Sequence, residues 1–511
     1  MGIQNLSGSK TFGGDFRGAR LLYKNRTGTI NVSVLLAFLY NGFADLLVER
    51  RHVALQNDIM KFLNLEDNLL EIEKIEVIDD TKYIYLNQKL IPTYCPVCGS
   101  RMYSKGIETR TIKHQTLQDG FKLILYLKQR RWKCSNSICN KQLSQSSNIV
   151  AKYKQHSLFT EIRIMEFFKN LNLSCKEIAD RLNVSDTFTY YTFMQYVNVE
   201  RLPLPKVLCI DEVYINLSPK YKYAVILMNW ENHEIIDILP SRWNEVTEKY
   251  FLHLPYSERK KVEYVVSDMY KPYVNITDKY FPNACSVTDS FHIIALINRK
   301  LIQYCNKMKH QFDDESLEYY LLSKYHWFMT SNDNSFEGEY RYKYNRKYQR
   351  QVNLKKIRKD FFSISTTLGQ LKEFRDMYTH FNTPFNEDGT YKSKIQIEEE
   401  LTQIIHAYAY SKFDFFQDTA RTLIEYKDYI INSFITLEGI SKRMSNGPME
   451  SFNRKPKDYK RMTRGFTNFD FFRARMLWGT RINPIMLAIP RDLHKLKLKY
   501  QTSKKRGPYK K

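Results

Sequence analysis

The apolar positions in the first part of the chain follow strand-like and then helical spacing. A short helix is predicted near residues 59–63, and alternating or β-branched runs predict strands at 72–78, 83–86 and 121–133. A helical stretch follows over residues 159–197, and Pro203 and Pro205 mark a linker at its end. These patterns predict a small β-rich unit followed by a helical one.

The spacing changes again after the linker. Short apolar runs at 207–210, 223–228, 235–239 and 264–266 are typical of buried strands, and 245–254 predicts a helix between them. Residues 295–445 return to helical spacing, and their segment 339–362 interleaves tyrosines with lysines and arginines. We predict an amphipathic helix there, whose basic face is either simply solvated or a surface that neutralises phosphates and stacks on bases.

Composition adds a strong positive charge to this picture. The 511 residues contain 79 Lys plus Arg against 55 Asp plus Glu, a formal net charge of +24. Such an excess suits nucleic acid, although solubility or the lysine bias of an AT-rich genome would also produce it. The apolar run at 34–40 is too short to span a membrane, so we expect no membrane partner and a cytoplasmic protein with reduced thiols.

Four of the eight cysteines form two close pairs. Cys95 and Cys98 enclose Pro-Val, and Cys134 and Cys139 enclose Ser-Asn-Ser-Ile. A tight turn aims two thiolates at one ion, and four sulfurs suit a closed structural zinc site. We therefore predict one structural zinc ion, the alternative being free buried cysteines. The other cysteines are scattered singly and are interpreted as core residues.

Residues 174–197 have the pattern of two helices joined by a tight turn. Ser174 and Glu177 fit a capping box, and Asn183 stands where a left-handed residue is needed. A second helix begins after Ser185, and its early residues are placed to reach base edges in a major groove. The candidate DNA contacts are Lys176, Thr187, Thr189 and Tyr190. An ordinary helical hairpin is the alternative.

Carboxylates follow two of the predicted strands. Asp211 ends one apolar run, and Asp268 ends another 57 residues later. Carboxylates at the ends of neighbouring strands repel each other unless a cation neutralises them, and Mg²⁺ takes oxygen ligands that it shares with phosphates. A third carboxylate is best sought at Glu450, which Gly447 and Pro448 place early on a helix. A basic run follows it, with candidate DNA contacts at Arg454, Lys457, Lys460, Arg461 and Arg464.

These motifs together resemble bacterial insertion-sequence transposases of the ISL type. The resemblance covers about residues 57–485, and further blocks agree with it: Phe281-Pro-Asn-Ala284, Asp289-Ser-Phe291-His292, Lys460-Arg461, Gly465-Phe466 and Phe469. It implies an RNase H-like domain in which Asp211, Asp268 and Glu450 hold two Mg²⁺ or Mn²⁺ ions for DNA cleavage and strand transfer. It also implies attack by water and then by a freed 3′-hydroxyl, without a nucleotide cofactor or a covalent protein–DNA intermediate.

The patterns and the resemblance together predict an α/β multidomain protein. Residues 203–298 and 446–490 form an RNase H-like mixed sheet with flanking helices, interrupted by a large helical insertion at 299–445. A zinc ribbon at 57–150 and a helix-turn-helix domain at 151–202 precede it. Residues 1–56 are interpreted as a weakly patterned extension, and 491–511 as a basic tail.

The partner that the resemblance implies is double-stranded DNA. It comprises the terminal inverted repeats of the element and the target DNA, bound by a homo-oligomer that is nucleoid-associated in the complex. A structure-specific RNase H-like nuclease and a catalytically impaired DNA-binding copy or repressor remain as alternatives. Pro456 favours impairment mildly, because an interior proline costs a helix about 3 kcal/mol and is expected to kink it.

Asp289 and His292 are possible accessory residues near the metals or the scissile DNA. The favoured alternative is structural: Asp289 caps a helix, while Phe291 and His292 dock that helix against the sheet.

Overall fold

The computed structural model describes residues 59–63, 65, 67–115, 120–216, 222–289, 291–332, 340–437, 443–463 and 468–492. The chain divides into two compact units, Met1–Ile164 with Ala179–Ser185, and Met165–Ile178 with Asp186–Lys511. The predicted extension at 1–56, the tail beyond residue 492 and the predicted DNA contact Arg464 lie outside the described residues. No helix within those ranges is long and apolar enough to cross a membrane.

A five-stranded sheet forms the first unit, in the order β1-β2-β4-β3 with β5 beside β4. Its strands are β1 (Leu70–Ile78), β2 (Thr81–Gln88), β3 (Met102–His114), β4 (Lys122–Cys134) and β5 (Gln142–Ser144). The alternation in β4 buries Leu123, Leu125 and Leu127 against Ile84 and Ile112. The sequence did not predict β3, because most of its side chains are exposed and polar.

Three helices follow: α1 (Leu158–Phe167), α2 (Cys175–Leu182) and α3 (Asp186–Tyr196). The predicted capping box at the start of α2 is confirmed, since the Glu177 N–H donates to Ser174 Oγ at 3.2 Å and the Ser174 N–H to Glu177 Oε2 at 2.7 Å. Asn183 has φ +53°, the left-handed conformation expected of it between the two helices.

The second unit contains a mixed sheet in the order β10-β9-β6-β7-β8. Its strands are β6 (Val207–Tyr214), β7 (Tyr223–Asn229), β8 (Ile235–Leu239), β9 (Tyr264–Ser267) and β10 (Cys285–Thr288). β6, β7 and β8 are antiparallel neighbours, whereas β9 runs parallel to β6, and β10 parallel to β9. Four of these strands were predicted and β10 was missed. Cys285, interpreted as a core residue, is exposed at its start.

One face of this sheet is covered by α4 (Asn244–Leu252) and α6 (Lys271–Tyr280), and the short α5 (Tyr256–Arg259) lies between them in the chain. Leu208 and Ile210 of β6 point to that side and share a core with Phe251, Tyr273 and Ile276. Because side chains alternate along a strand, the odd-numbered residues of β6, including Asp211, point to the opposite face.

A helical region lies between β10 and the remaining helices. It contains α7 (Phe291–Lys309), α8 (Leu317–Lys324), a 3-10 turn (His326–Met329), α9 (Leu354–Ser363), α10 (Thr366–Phe381), α11 (Lys394–Ala409), α12 (Asp414–Glu425) and α13 (Lys427–Asn432). These elements share one apolar core, in which Ile297, Phe361, Leu371 and Phe416 are buried. The helical spacing predicted for residues 295–445 is therefore confirmed over most of that stretch.

The helix predicted across 339–362 is wrong for its first half. Lys343–Asn345 (β11) and Arg350–Val352 (β12) instead form a two-stranded antiparallel hairpin, and a helix begins only at Leu354. Asn345 turns the chain by accepting hydrogen bonds from Lys347 N at 3.0 Å and Tyr348 N at 3.4 Å, and Gln349 has φ +51°. This local turn outweighs the helical spacing of the side chains.

Three C-terminal helices cover the other face of the mixed sheet: α14 (Gly447–Phe452), α15 (Arg454–Met462) and α16 (Phe469–Thr480). Met449 and Phe472 share a core there with Cys209 and Val213 of β6. As predicted, Pro448 lies in the first turn of its helix. Glu450 therefore lies early on a helix that packs over the face to which Asp211 points.

Candidate zinc and carboxylate sites

The four predicted zinc ligands come together. Cys95 Sγ lies 3.6 Å from Cys139 Sγ, and Cys98 Sγ lies 3.4 Å from Cys134 Sγ. All four sulfurs lie within 4.8 Å of one another. These separations far exceed the S–S bond of a disulfide, about 2.05 Å, and approach the roughly 3.8 Å between two sulfurs on one tetrahedral zinc.

Both cysteine turns are closed by short-range hydrogen bonds. Gly99, at φ +72°, donates its N–H to the Cys95 carbonyl at 2.9 Å. In the second turn, Asn140 at φ +47° donates to the Asn136 carbonyl at 3.0 Å, and the Asn136 N–H donates to Cys134 Sγ at 3.4 Å. The longer spacing of the second pair still closes, because an asparagine adopts the left-handed conformation.

Asp211 lies within β6, and Asp268 directly follows the neighbouring parallel strand β9. β6 and β9 pair so that Ile210 lies opposite Ser267. An aspartate follows each of these two residues, so Asp211 and Asp268 are adjacent across the pair of strands. Asp211 is 7% exposed. Burial, followed by the charge of Asp268, raises the pKa of Asp211 to about 7.

The hydrogen bonds of Asp211 come from uncharged donors. Its Oδ1 accepts the Glu212 N–H at 2.7 Å, and its Oδ2 accepts Asn453 Nδ2 at 2.6 Å. On the opposite face, the Glu212 carboxylate accepts from Arg242 at 2.5 Å and from the Tyr273 hydroxyl at 2.6 Å. Glu212 is thus neutralised, whereas the contacts of Asp211 provide no positive charge.

Asp268 follows the end of β9 and is held by two side chains. Its Oδ1 accepts Asn446 Nδ2 at 3.1 Å, and its Oδ2 lies 3.1 Å from His292 Nε2. That hydrogen bond raises the pKa of His292 to about 9. His292, predicted to be either an accessory or a docking residue, makes a direct contact with an aspartate.

Asp289 connects two segments of this site. Its Oδ1 accepts the Phe291 N–H at 2.9 Å, and its Oδ2 accepts the Asn446 N–H at 2.8 Å. Asp289 thus makes the helix-capping contact expected of it and also holds the backbone at Asn446. The docking role expected of Phe291 is wrong, because its side chain is 54% exposed.

Glu450 belongs to a group that differs from the predicted triad. Asp289, His292 and Glu450 present ligand atoms that all lie within 4.8 Å of one another. Among the described residues, this is the group with metal-ligand spacing that contains carboxylates. Partial burial and the charges of Asp289 and Asp268 raise the pKa of Glu450. Glu450 thus lies on the Asp268 side of the site.

Pro456 separates α14 from α15. It has no N–H to donate to the Phe452 carbonyl, and the helix is interrupted at Asn453, which starts a new helix with Pro456 in its first turn. The helix is therefore interrupted near the proline, although Asn453 itself keeps helical dihedral angles. The proline costs little at this position, and the break coincides with the residue whose amide reaches Asp211.

Asn446 and Asn453 are site residues that sequence reasoning missed. They lie four residues before and three residues after Glu450, the spacing of one helical face. That spacing around the third carboxylate is the signal that could have identified them.

The predicted DNA contacts differ in accessibility. Lys176, Thr187, Arg454, Lys457 and Arg461 are exposed, and Lys460 is half-buried. Thr189 is fully buried, so the expectation that its side chain reaches a base edge is wrong in this structure. Tyr190 packs against Phe471 at 5.1 Å, and its hydroxyl accepts from Asn468 at 3.0 Å, so its ring is engaged within the protein.

Comparison with known protein families shows to which family the chain belongs. The model for ISL3-type transposases of the DDE class matches residues 208–476. The chain belongs to this transposase family. A second family, the zinc-finger of transposases IS204, IS1001, IS1096 and IS1165, matches residues 91–139 and contains all four clustered cysteines. A search of curated proteins finds no match.

Membership in the family gives the chain its general function. It is a DDE-type transposase, an enzyme of DNA transposition, and DNA is its partner. The 208–476 match includes Asp211, Asp268 and Glu450 as well as the helical region between β10 and α14.

Proposed function

We propose that Asp211, Asp268 and Glu450 hold two Mg²⁺ or Mn²⁺ ions at which the transposase cleaves and rejoins DNA. The observation that carries this proposal is the pair of aspartates on adjacent parallel strands, beneath a helix bearing the glutamate. Asp211 is buried, faces another carboxylate and accepts hydrogen bonds from neutral donors only. Such a carboxylate is costly unless a cation joins it, so the residues fit a divalent metal site.

The sheet supports assignment of this domain to the RNase H-like class. Its first three strands form an antiparallel meander, and its fourth and fifth run parallel to the first on the other side, with helices on both faces. This arrangement brings the carboxylates of the first and fourth strands to one place. The proposed catalytic domain comprises 203–298 and 446–490, with 299–445 as its insertion.

The chain's own residues supply the positioning in this mechanism. Bound divalent ions would activate the attacking oxygen, from water or a 3′-hydroxyl, and stabilise the leaving oxygen. His292 and Asn446 fix the Asp268 carboxylate from two sides, and Asn453 fixes that of Asp211. Asp289 fixes the chain at Asn446, four residues before Glu450. His292 and Asp289 are therefore accessory residues in this proposal.

The four cysteines are proposed to hold one structural zinc ion. Two turns already direct their sulfurs to one point, so the ion would fasten the ribbon without taking part in the reaction. The ribbon, at 57–150, and the segment at 151–202 are proposed to recognise the terminal inverted repeats. Exposed Lys176 and Thr187 on the two helices are the candidate contacts there.

A cationic surface follows the glutamate helix. Arg454, Lys457 and Arg461 are exposed on α15, beside half-buried Lys460. We propose that they contact the phosphates of DNA that enters the carboxylate site, in a homo-oligomer bound to both element ends and to target DNA. The position of Pro456 at the start of this helix gives no support for an impaired copy.

Replacement of one aspartate tests the catalytic proposal. Asp211→Asn or Asp268→Asn should lower the Mg²⁺-dependent cleavage of an oligonucleotide bearing the element end by about a thousandfold or more, because one ligand is lost. End binding in a gel-shift assay should persist. Asp278→Asn, at an exposed position of α6, is the matched control. An aspartate variant that cleaves at the wild-type rate would show that the residue is not a metal ligand.

A further inference from the structure

Two asparagines bracket Glu450 and contact the two aspartates. Asn446 Nδ2 donates to Asp268 Oδ1 at 3.1 Å, and Asn453 Nδ2 donates to Asp211 Oδ2 at 2.6 Å. In both contacts the amide nitrogen is the donor and the carboxylate oxygen is the acceptor. The carbonyl oxygen of each amide is bonded to the same carbon as that nitrogen and therefore lies beside the same carboxylate.

Both carbonyl oxygens are buried and unsatisfied. Asn446 is 0% exposed and Asn453 is 8% exposed. Asn446 Oδ1 and Asn453 Oδ1 find no hydrogen-bond partner among the described residues. A buried acceptor without a donor is destabilising, so two of them beside paired carboxylates point to a missing donor or cation.

The backbone around Asn446 and Asn453 is well defined. Asn446 N–H is bound by Asp289, and the preceding carbonyl, that of Ser445, accepts Trp230 Nε1 at 3.0 Å. Asn453 occupies the break that Pro456 imposes between two helices. The backbone of both asparagines is therefore held by contacts independent of Asp211 and Asp268.

We propose that Asn446 and Asn453 are positioning residues of the metal site, which hold Asp268 and Asp211 through their nitrogens and accept hydrogen bonds from metal-bound water through their oxygens. Mg²⁺ and Mn²⁺ keep several water molecules when protein carboxylates bind them, and each such water is a strong donor. The two unsatisfied oxygens then acquire partners. This inference rests on the proposed carboxylate site.

Metal binding itself provides the test. Mn²⁺ binding to the full-length protein is measured by electron paramagnetic resonance for wild type, Asn446→Ala and Asn453→Ala. Each variant should bind Mn²⁺ about 10-fold more weakly, the range for loss of a residue that orients a metal ligand. Asn353→Ala is the matched control, because Asn353 is also 8% exposed but caps α9 by accepting from Lys356 N at 2.9 Å. Its Kd for Mn²⁺ should equal that of wild type.

A second variant keeps the test decisive if alanine impairs folding. Asn453→Asp preserves shape and an oxygen but replaces the amide donor with a charge beside Asp211. Its Tm without metal should fall, and Mn²⁺ should raise that Tm by at least about 3 °C more than it raises the wild-type Tm. Wild-type Mn²⁺ affinity in both alanine variants, or an unchanged Mn²⁺-induced shift in Asn453→Asp, overturns the inference.

The two proposals fail in different ways. If Asp211→Asn retains wild-type Mn²⁺ affinity and cleavage, the carboxylate site itself is wrong. If Asp211→Asn loses both while Asn446→Ala and Asn453→Ala bind Mn²⁺ normally, the carboxylate site stands and only the role of the asparagines is wrong.

Discussion

The cysteine cluster and the carboxylate site are assembled in opposite ways. The cysteines come from two short turns, and the contact between Cys95 and Cys139 spans 44 residues. The contact between Asp211 and Asn453 spans 242 residues and requires a completed sheet with a helix packed over it. A site made of local turns is defined by spacing along the chain, whereas a site made across a sheet is defined by topology.

Among the substitutions considered for the two sites, loss of a zinc ligand should destabilise the protein most. Wild type should contain one zinc equivalent per chain by elemental analysis, and Cys95→Ser or Cys134→Ser should remove it and unfold the region near 94–144. The reason is that binding contributes about 10–16 kcal/mol of folding free energy in small zinc modules. Hydrogen exchange measures the unfolding by region. Cys285→Ser, at an exposed position outside the cluster, is the control.

A zinc-free protein that stays folded would show that the cysteine turns do not depend on a metal ion. If a zinc-free preparation keeps native exchange protection across 94–144 and full DNA affinity, the cluster is not a structural zinc site. The turns would then be held by their backbone hydrogen bonds alone.

The difference also explains how much the sequence could predict. The four cysteines were predictable because each pair has the spacing of a metal-binding turn, and the pairing of β3 with β4 then brings the two turns together. Asp211 and Asp268 were predictable because each ends an apolar run of sequence, and the pairing of β6 with β9 then brings the two runs together. Asn446 and Asn453 were missed because asparagine is common in turns and only the packed helix brings them to the aspartates. Strand β3 and the hairpin at 343–352 were missed because polar side chains and a local turn concealed them.

A buried histidine should give the first unit an acid sensitivity of its own. His114 is 1% exposed; its Nε2 donates to the Leu63 carbonyl at 2.9 Å, and its Nδ1 accepts from Ser157 Oγ at 2.7 Å. Burial lowers the pKa of His114 from 6.5 to about 4. The unfolded chain therefore binds the extra proton between these values. The contribution of neutral His114 to the free energy of unfolding is fully present above pH 6.5. It falls by up to about 3 kcal/mol as the pH decreases to 4.

Comparison with His114→Gln isolates this effect from acid release of zinc, because glutamine keeps hydrogen-bonding capacity but does not titrate. Urea unfolding of both proteins, followed at pH 7 and pH 4.5, measures the difference. Wild type should lose more stability than the variant over that interval. Equal losses would show that His114 does not titrate in this range.

The hairpin should contribute a moderate share of DNA affinity in the second unit. Tyr340, Tyr342 and Tyr344 are more than 60% exposed beside exposed Lys343, Arg346 and Arg350. The triple variant Lys343→Glu, Arg346→Glu and Arg350→Glu should weaken DNA binding. It should also reduce the magnitude of the slope of log K against log salt by about 3, because each lost phosphate contact lowers that slope by roughly 0.9. Fluorescence anisotropy at four salt concentrations measures it.

A triple reversal elsewhere in the helical region controls for net charge. Lys394→Glu, Lys412→Glu and Arg421→Glu alter the charge equally at exposed positions of another surface. If both triple variants change the salt slope alike, the effect is general charge and the hairpin is only a solvated surface.

Replacement of Pro456 should change Mn²⁺ affinity and the cleavage rate only slightly, and the direction of the change tests the role of the proline. Pro456→Ala restores an N–H that can donate to Phe452, so α14 and α15 can join through Asn453. Asn453 already has helical dihedral angles, φ −60° and ψ −14°, so the rearrangement is slight. The Asn453–Asp211 hydrogen bond should nevertheless lengthen, and we expect about a two- to fivefold loss of Mn²⁺ affinity and of cleavage rate, corresponding to less than about 1 kcal/mol. Pro203→Ala, in the linker before β6, is the control. Faster cleavage by Pro456→Ala would mean instead that the proline impairs this copy, and the break between the helices would then be a defect rather than the device that brings Asn453 to Asp211.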